Sequence, residues 1–452
     1  MQRKITSLWG KKKVVLRQTA RAVTPFGGLS VFIEFLQKIG YRHQVSEHLP
    51  VHLKSPNAID AGETFTAFLI SVAAGARRFA HAGMLRSDRA LHALLGMKRF
   101  PTDGTMRNLF KRFTHGMVVQ LYEPLWAWQV GRLPERAQGY SLDLDSTVFE
   151  RYGKQEGVRR GYHPRKPGRG SHHPLLAVLG EAHFVLHGWL RSGNTTAGRG
   201  VVEFLKEALA KLESSQWIRL VRADSGFFAQ ELFLYLESVE LRYIVVARMT
   251  KWLKREAARV EVWRALDEIY SVGEFQLQLL GWDRSRRFVV VREQLQEAKR
   301  SPGRKLIEVP GYTFRVLVTN LPDPPEEIWR DYNQRACIEQ RIEELKSDLA
   351  ADHFCLKEFF ATEAAFLGIL MLFNLLGEFQ RASGMIGYRQ PASLRTQVFL
   401  CGAILGRAGH RTVLHLSAAW GGLEKRNSLF DKLLHYEIPT SRKLDLQPCG
   451  TG

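Results

Sequence analysis

Tyr140-Ser141-Leu142-Asp143-Leu144-Asp145 decides how the chain is read. Apolar and polar residues alternate with period two. That pattern is a β-strand with Leu142 and Leu144 on one face and both acids on the other. Downstream, Leu175–Leu179 and residues 183–190 read as two more strands, and residues 201–212 as a helix. A strand at Ile218-Arg219-Leu220-Val221 ends at Asp224, followed by a helix at 230–236 and a strand at 243–248. Three strands followed by alternating helices and strands predict an α/β sandwich.

Upstream, residues 1–135 read as mainly helical and basic, with apolar helical patterns at 31–39 and 65–74. Lys11-Lys12-Lys13 with Arg17 and Arg21 form a basic arm. Pro101-Thr102-Asp103-Gly104 supplies capping residues for a basic amphipathic helix carrying Arg107 and Lys111. That helix is either the DNA-reading helix of a helix-turn-helix or a surface helix with solvated cations. Residues 250–312 are strand-rich and charged and read as an insertion, with strands at 275–280 and 287–291 and a turn at Ser301-Pro302-Gly303. Tyr312–Thr319 resumes the core, and Leu321-Pro322-Asp323-Pro324-Pro325 opens a long helix. Residues 364–376 are apolar but shorter than the roughly 18 residues a membrane span needs, so they predict a buried core helix of a soluble protein. The division is therefore 1–135, 136–249, 250–312, 313–385 and a tail, 386–452, to which no chemistry can be assigned.

Lys and Arg number 65 against 45 Asp and Glu, a formal charge of +20. Such an excess suits a polyanion, of which nucleic acid is the commonest; an anionic membrane surface or a basic scaffold is the plain alternative. Cys337, Cys355, Cys401 and Cys449 form no C-x-x-C pair. That spacing argues against a disulfide framework or a thiolate zinc site and fits a reducing cytoplasm. The basic N-terminus lacks the apolar core of a signal peptide.

Tyr332, Arg335, Glu339 and Lys346 are spaced Y-x2-R-x3-E-x6-K. On one helix they would lie within about 60° of one another. A carboxylate flanked by two cations and a phenol suits metal-assisted phosphodiester chemistry. That chemistry needs acids from separate elements to converge on two ions about 3.5–4 Å apart. Asp145, Asp224 and Glu339 would serve, holding Mg²⁺ or Mn²⁺ through oxygen ligands. Asp143 shares the strand face of Asp145 and competes with it, and Glu343, one helical turn on, could replace Glu339. Each acid alone also has an ordinary reading as a turn, cap or surface residue. Ile338, Ile342, Leu345 and Leu349 form the apolar stripe that would dock this helix.

The segment 151–173 carries Arg151, Lys154, Arg159, Arg160, Arg165, Lys166 and Arg169 against one acid, Glu156. It would grip phosphates without reading sequence, or else be a solvated loop. His172, His173, His183 and His187 lack accompanying cysteines and do not make a zinc site.

At these residues the chain resembles the DDE transposases of bacterial insertion sequences. Leu142-Asp143-Leu144-Asp145-Ser146-Thr147, Arg222-Ala223-Asp224-Ser225-Gly226-Phe227 and the Tyr-Arg-Glu-Lys set match that group's three blocks. The last marks the subgroup with a β-rich insertion, and Ser171-His172-His173-Pro174-Leu175 is similar to the insertion-sequence-1380 family. The resemblance covers residues 140–380. It implies a ribonuclease-H-like core preceded by a helical DNA-binding domain. It implies that Asp145, Asp224 and Glu339 hold two Mg²⁺ or Mn²⁺ ions, and that Tyr332, Arg335 and Lys346 contact DNA phosphates. The implied activity is cleavage at the terminal inverted repeats of an element and joining of the 3′-hydroxyls to target DNA. A homodimer on DNA, a bacterial, nucleoid-associated location and no membrane are expected. Some relatives pass through a hairpin and stack a flipped base; Trp252, Trp263 or Trp282 could do so, or could simply pack on the sheet. The alternatives are a nuclease of the same fold that only hydrolyses, and a domesticated DNA-binding protein without catalysis.

Overall fold

The computed structural model describes residues 3–9, 12–161, 163, 166–213, 216–294, 312–418 and 423–436. The 140–145 strand sits inside a nine-stranded sheet, and its strands are numbered here in chain order. They are β1 (Tyr140–Ser146), β2 (Leu175–Leu179), β3 (Phe184–Trp189), β4 (Ile218–Ala223) and β5 (Tyr243–Val246), followed by β6 (Arg264–Ala265), β7 (Tyr270–Leu277), β8 (Arg286–Gln294) and β9 (Tyr312–Thr319). The spatial order is β6-β7-β8-β9-β5-β4-β1-β2-β3. β2 pairs antiparallel with β1 and with β3, whereas β4 runs parallel to β1 and β5 parallel to β4. β9 then turns antiparallel against β5.

Parallel strands need a crossover, and the sequence supplies it with α1 (Val201–Leu209) before β4 and α2 (Gln230–Ser238) before β5. β1 is buried along all but its last residue because helices cover both faces of the sheet. On the free edge at β3, Asn374 accepts from the Val185 amide at 2.7 Å and donates to the Val185 carbonyl at 3.0 Å, and Trp126 Nε1 donates to the same carbonyl at 3.1 Å.

The strands of the segment 250–312 join the main sheet. Strands β7 and β8 continue the main sheet through β9, paired from Arg287↔Thr319 to Gln294↔Tyr312. β9 has two hydrogen-bonding edges, and the hairpin occupies the second. The expected turn at Ser301-Pro302-Gly303 lies outside the described residues.

The helix expected to carry Tyr332 through Lys346 is in fact three pieces. α3 (Pro325–Asn333) and α4 (Ala336–Glu343) are separated by Gln334 and Arg335, and a π-helical turn, Glu344–Asp348, follows. At the break, hydrogen bonds tighten to three-residue spacing, Arg335 to Tyr332 and Ile338 to Arg335. Ile338, Leu345 and Leu349 are buried, so the docking stripe survives the break. α5 (Phe359–Ala382) extends the predicted 364–376 core helix to 24 residues. By length and composition it could cross a membrane, yet 83% of its apolar window is buried in the protein.

The N-terminal part is helical as expected, including Leu29–Lys38, Ala61–Ala73 and Asp103–Phe110. It also contains a two-stranded hairpin, Arg3–Thr6 with Lys13–Leu16, in place of a plain arm. The tail is not independent of it. Strand Ala403–Ala408 pairs with both Arg411–Leu416 and Val23–Thr24, and the Cys401 amide donates to the Pro25 carbonyl at 2.7 Å.

Candidate active site

Two aspartates leave β1 on the same face and meet different fates. Asp143 lies opposite Arg222 in the β1–β4 register and forms a two-point ion pair with it, Nε–Oδ1 2.6 Å and Nη2–Oδ2 2.9 Å. The third nitrogen of Arg222 donates to the Asp331 carbonyl at 2.6 Å. Asp143 is 1% exposed and fully committed, which removes it as the competitor of Asp145.

Asp145 sits one pleat further on, where the strand reaches the sheet margin. Its Oδ1 accepts from the Ser146 amide at 2.7 Å, and its Oδ2 faces Arg335 Nη2 at 3.2 Å. Arg335 also donates to the Leu144 carbonyl at 3.0 Å. Burial pushes the Asp145 carboxyl up to about 6; Arg335 opposes the rise, while the charges of Asp224 and Glu339 add to it. Three acids remote in sequence therefore act on one another, the electrostatic mark of a shared site.

Asp224 follows β4 directly and opens a short turn over Ser225–Phe227, its Oδ1 accepting from the Gly226 amide at 2.9 Å. Gly226 is required there, since a Cβ would come within 2.8 Å of Ala197. Glu339 is exposed on the first turn of α4. Tyr332 is buried at the end of α3, with its hydroxyl raised by burial and in the field of Arg335, Arg315 and Asp224. Lys346 reaches β1's exit from the π-helical turn, donating to the Thr147 hydroxyl at 3.5 Å and the Val148 carbonyl at 3.3 Å. The broken helix thus brings Tyr332, Arg335 and Lys346 to the ends of β1 and β4.

Whether these residues suit divalent ions is a question of charge and of geometry. An oxygen-only, acid-rich set is the right chemistry for Mg²⁺ or Mn²⁺. Among the described residues, however, no three His, Cys, Asp or Glu side chains are gathered closely enough to form a ligand cage. The three carboxyls are near enough to act on one another electrostatically without being gathered into such a cage. A guanidinium stands at Asp145, and Glu339 points from an exposed face.

The other predicted contacts are dispersed. Arg159 and Arg160 are exposed on a short strand pairing with Gly170–His172, and Arg165 lies outside the described residues. Lys166 pairs with Glu150 at 3.0 Å. Arg151, in the same segment, is not available to phosphate: it is buried, donating to His172 Nδ1 at 3.0 Å and to the Asp352 carbonyl. The segment's glycines permit close packing, as a Cβ on Gly161 would strike the Gly193 carbonyl at 1.9 Å. Arg107 pairs with Asp103 at 3.6 Å and lies over the Phe79 ring, while Lys111 is exposed.

Of the tryptophans, Trp252 is 55% exposed. Trp263 donates to the Val260 carbonyl, and Trp282 packs on Phe228 and Phe233. The four histidines all have other occupations. His172 meets the Glu156 carbonyl, His173 the Thr195 carbonyl, His187 Glu207, and His183 stacks on Tyr388.

Sequence reading missed Arg191. It is 7% exposed and donates to the carbonyls of His173, Thr196, Ala197 and Arg199, so it shapes the loop whose Ala197 abuts Gly226 beside Asp224. Its only signal was position, directly after the third strand.

No curated protein matches the chain. Among solved structures, a piggyBac transposase synaptic complex with hairpin DNA is similar at 13% identity, with a TM-score of 0.44, over 84% of this chain and 82% of that one. That likeness is too slight to carry an argument. A family model described as Transposase DDE domain group 1 matches residues 6–437, nearly the whole sequence, and the chain belongs to that family.

Proposed function

We propose that the protein is a cut-and-paste DNA transposase, and that Asp145, Asp224 and Glu339 are its metal-binding acids. DDE transposases generally use divalent metal ions, which activate the attacking oxygen and stabilise the leaving one. The observation that carries the reading is the convergence at β1's exit. Asp145 feels the charges of Asp224 and Glu339 there while Arg335 bridges to it, in a chain whose family is known.

Within this reading, Asp145 and Asp224 would offer oxygens from the ends of adjacent parallel strands, and Glu339 from α4. Lys346 and Arg335 would hold scissile-strand phosphates, and Tyr332 would orient Arg335. The order β3-β2-β1-β4-β5, with three antiparallel strands and then two parallel ones, supports a ribonuclease-H-like core. Arg159, Arg160, Arg165 and Lys166 would grip the backbone beyond the cleaved end. Arg107, Lys111 and the N-terminal hairpin would engage the terminal inverted repeats. The hairpin carries Lys4, Lys12 and Lys13, and residues 1–33 contain no acid. A homodimer on DNA, membership of the insertion-sequence-1380 family and a bacterial cytoplasmic location belong to the same proposal.

Plasmid excision with Asp224→Ala tests it: loss of excision is expected, and full activity would remove Asp224 from the mechanism. A second reading, a DNA-binding protein without catalysis, draws support from the uncaged acids. DNA binding with no Mn²⁺-dependent nicking would favour it. A strand-transfer assay on pre-cut ends separates a hydrolysis-only nuclease, which would give no joined product.

A further inference from the structure

Both oxygens of Asp145 are engaged by protein donors, Oδ1 by the Ser146 amide and Oδ2 by Arg335. A metal ion that binds through Oδ2 competes with Arg335 for that oxygen. The guanidinium cannot leave freely, because it is 5% exposed and a buried cation stripped of its counter-charge is strongly unfavourable. It needs another anion to receive it.

Its own hydrogen bonding is incomplete. Although the Tyr332 hydroxyl lies beside it, Arg335 Nε is buried with no acceptor at hydrogen-bond geometry among the described residues. Arg222 is the contrast: each of its three nitrogens is satisfied by Asp143 or the Asp331 carbonyl. One arginine is locked in place, while the other holds a single oxygen of its aspartate and keeps an unused donor. A phosphate would use that donor, since it accepts two parallel guanidinium bonds.

We propose that Arg335 is a displaceable counter-ion that occupies Asp145 until a divalent ion and a DNA phosphate arrive together, so that each raises the affinity for the other. Arg335 then moves from carboxylate to phosphate as the ion takes its place, and no buried charge is left unpaired at any stage. By linkage the coupling is reciprocal. The free protein holds metal weakly, which keeps the acids from acting before DNA is engaged. The proposal rests on reading Asp145, Asp224 and Glu339 as the metal-binding acids.

The test is Mn²⁺ affinity of the full-length, DNA-free protein, followed by the electron paramagnetic resonance signal of free aqueous Mn²⁺. Arg335→Gln should bind Mn²⁺ about tenfold more tightly than wild type, a typical coupling between linked sites. Arg335→Lys, which keeps the charge but loses the fork, should gain less. Unchanged or weaker binding in Arg335→Gln, with Asp224→Asn still lowering affinity, would overturn the counter-ion role and leave the metal site standing. Absence of Mn²⁺ binding in wild type, Arg335→Gln and Asp224→Asn alike would remove the metal-site reading, and this proposal with it. A second measurement uses unaltered protein, so it stands even if Arg335→Gln does not fold. Its Mn²⁺ affinity, read the same way, should rise about tenfold when a short DNA duplex is bound. An affinity unchanged by the duplex would overturn the proposal.

Discussion

Asp143 and Asp145 are two residues apart on one strand, share a face and each meet an arginine, yet they are different chemical objects. The first pair is a closed unit, with two contacts, full burial and every arginine nitrogen satisfied. The second is open, with one 3.2 Å contact, neighbouring acids and a spare donor. A single pleat step toward the sheet margin changes a structural ion pair into a site. Burial alone does not separate them, since both aspartates are largely enclosed. What separates them is whether the partner's hydrogen-bonding capacity is used up.

Exchanging the acids singly should break this contrast most sharply in activity. Asp145→Asn should lower Mn²⁺-dependent strand cleavage by about a thousandfold or more, because it removes a ligand from the ion that carries the chemistry. Asp143→Asn should act instead on stability, costing about 3–5 kcal/mol by leaving Arg222 buried and unpaired. Chemical denaturation reads the second effect directly. Replacing both partners, Asp143→Leu with Arg222→Met, should recover most of that loss, whereas no second substitution at Arg335 should restore cleavage to Asp145→Asn.

The pH dependence of stability sharpens the same comparison. Burial raises Asp145 from 3.8 to about 6, so between those values the folded protein binds the proton more readily than the unfolded chain. Stability therefore falls as pH rises through that window, by on the order of 3 kcal/mol in total. Asp145→Asn should flatten this part of the profile in denaturation measured from pH 4 to pH 7. An unaltered slope in the variant would reassign the titration to another group.

The smallest expected effects lie in the basic segment, where Lys166, a surface cation in one exposed ion pair, stands against the buried Arg151. Lys166→Ala should weaken binding to duplex DNA evenly across sequences and reduce the salt slope by about 0.9 for a lost phosphate contact. Arg151→Ala should leave the slope unchanged and cost about 1–3 kcal/mol of stability, as its hydrogen bonds hold His172 and the Asp352 carbonyl. Equal salt slopes for wild type and Lys166→Ala would remove Lys166 from the DNA path.

Much of the core was legible because local pattern and burial agreed. Period-two alternation found β1, and Tyr312–Thr319 was found with its full bounds. The helix of residues 325–348 was harder. Its helical periodicity is genuine, but the break at Gln334 and Arg335 carries no glycine or proline to announce it. The strands β7 and β8 were legible in part, but a sequence does not show which sheet edge receives them. The same limit hid the pairing of the tail strand with Val23–Thr24.

The chain by itself determined the central strands from Tyr140 to Val246, the strand Tyr312–Thr319, the excess of positive charge, and the spacing of the acids, tyrosine, arginine and lysine. Those properties are local or additive, so they survive without coordinates. Only the tertiary structure decided that Asp143 is spent on Arg222, that Arg151 faces inward and that Arg335 stands against Asp145. Each of those outcomes depends on which group comes within about 3 Å of another across some 80 to 200 residues of chain, and sequence spacing has no access to that distance.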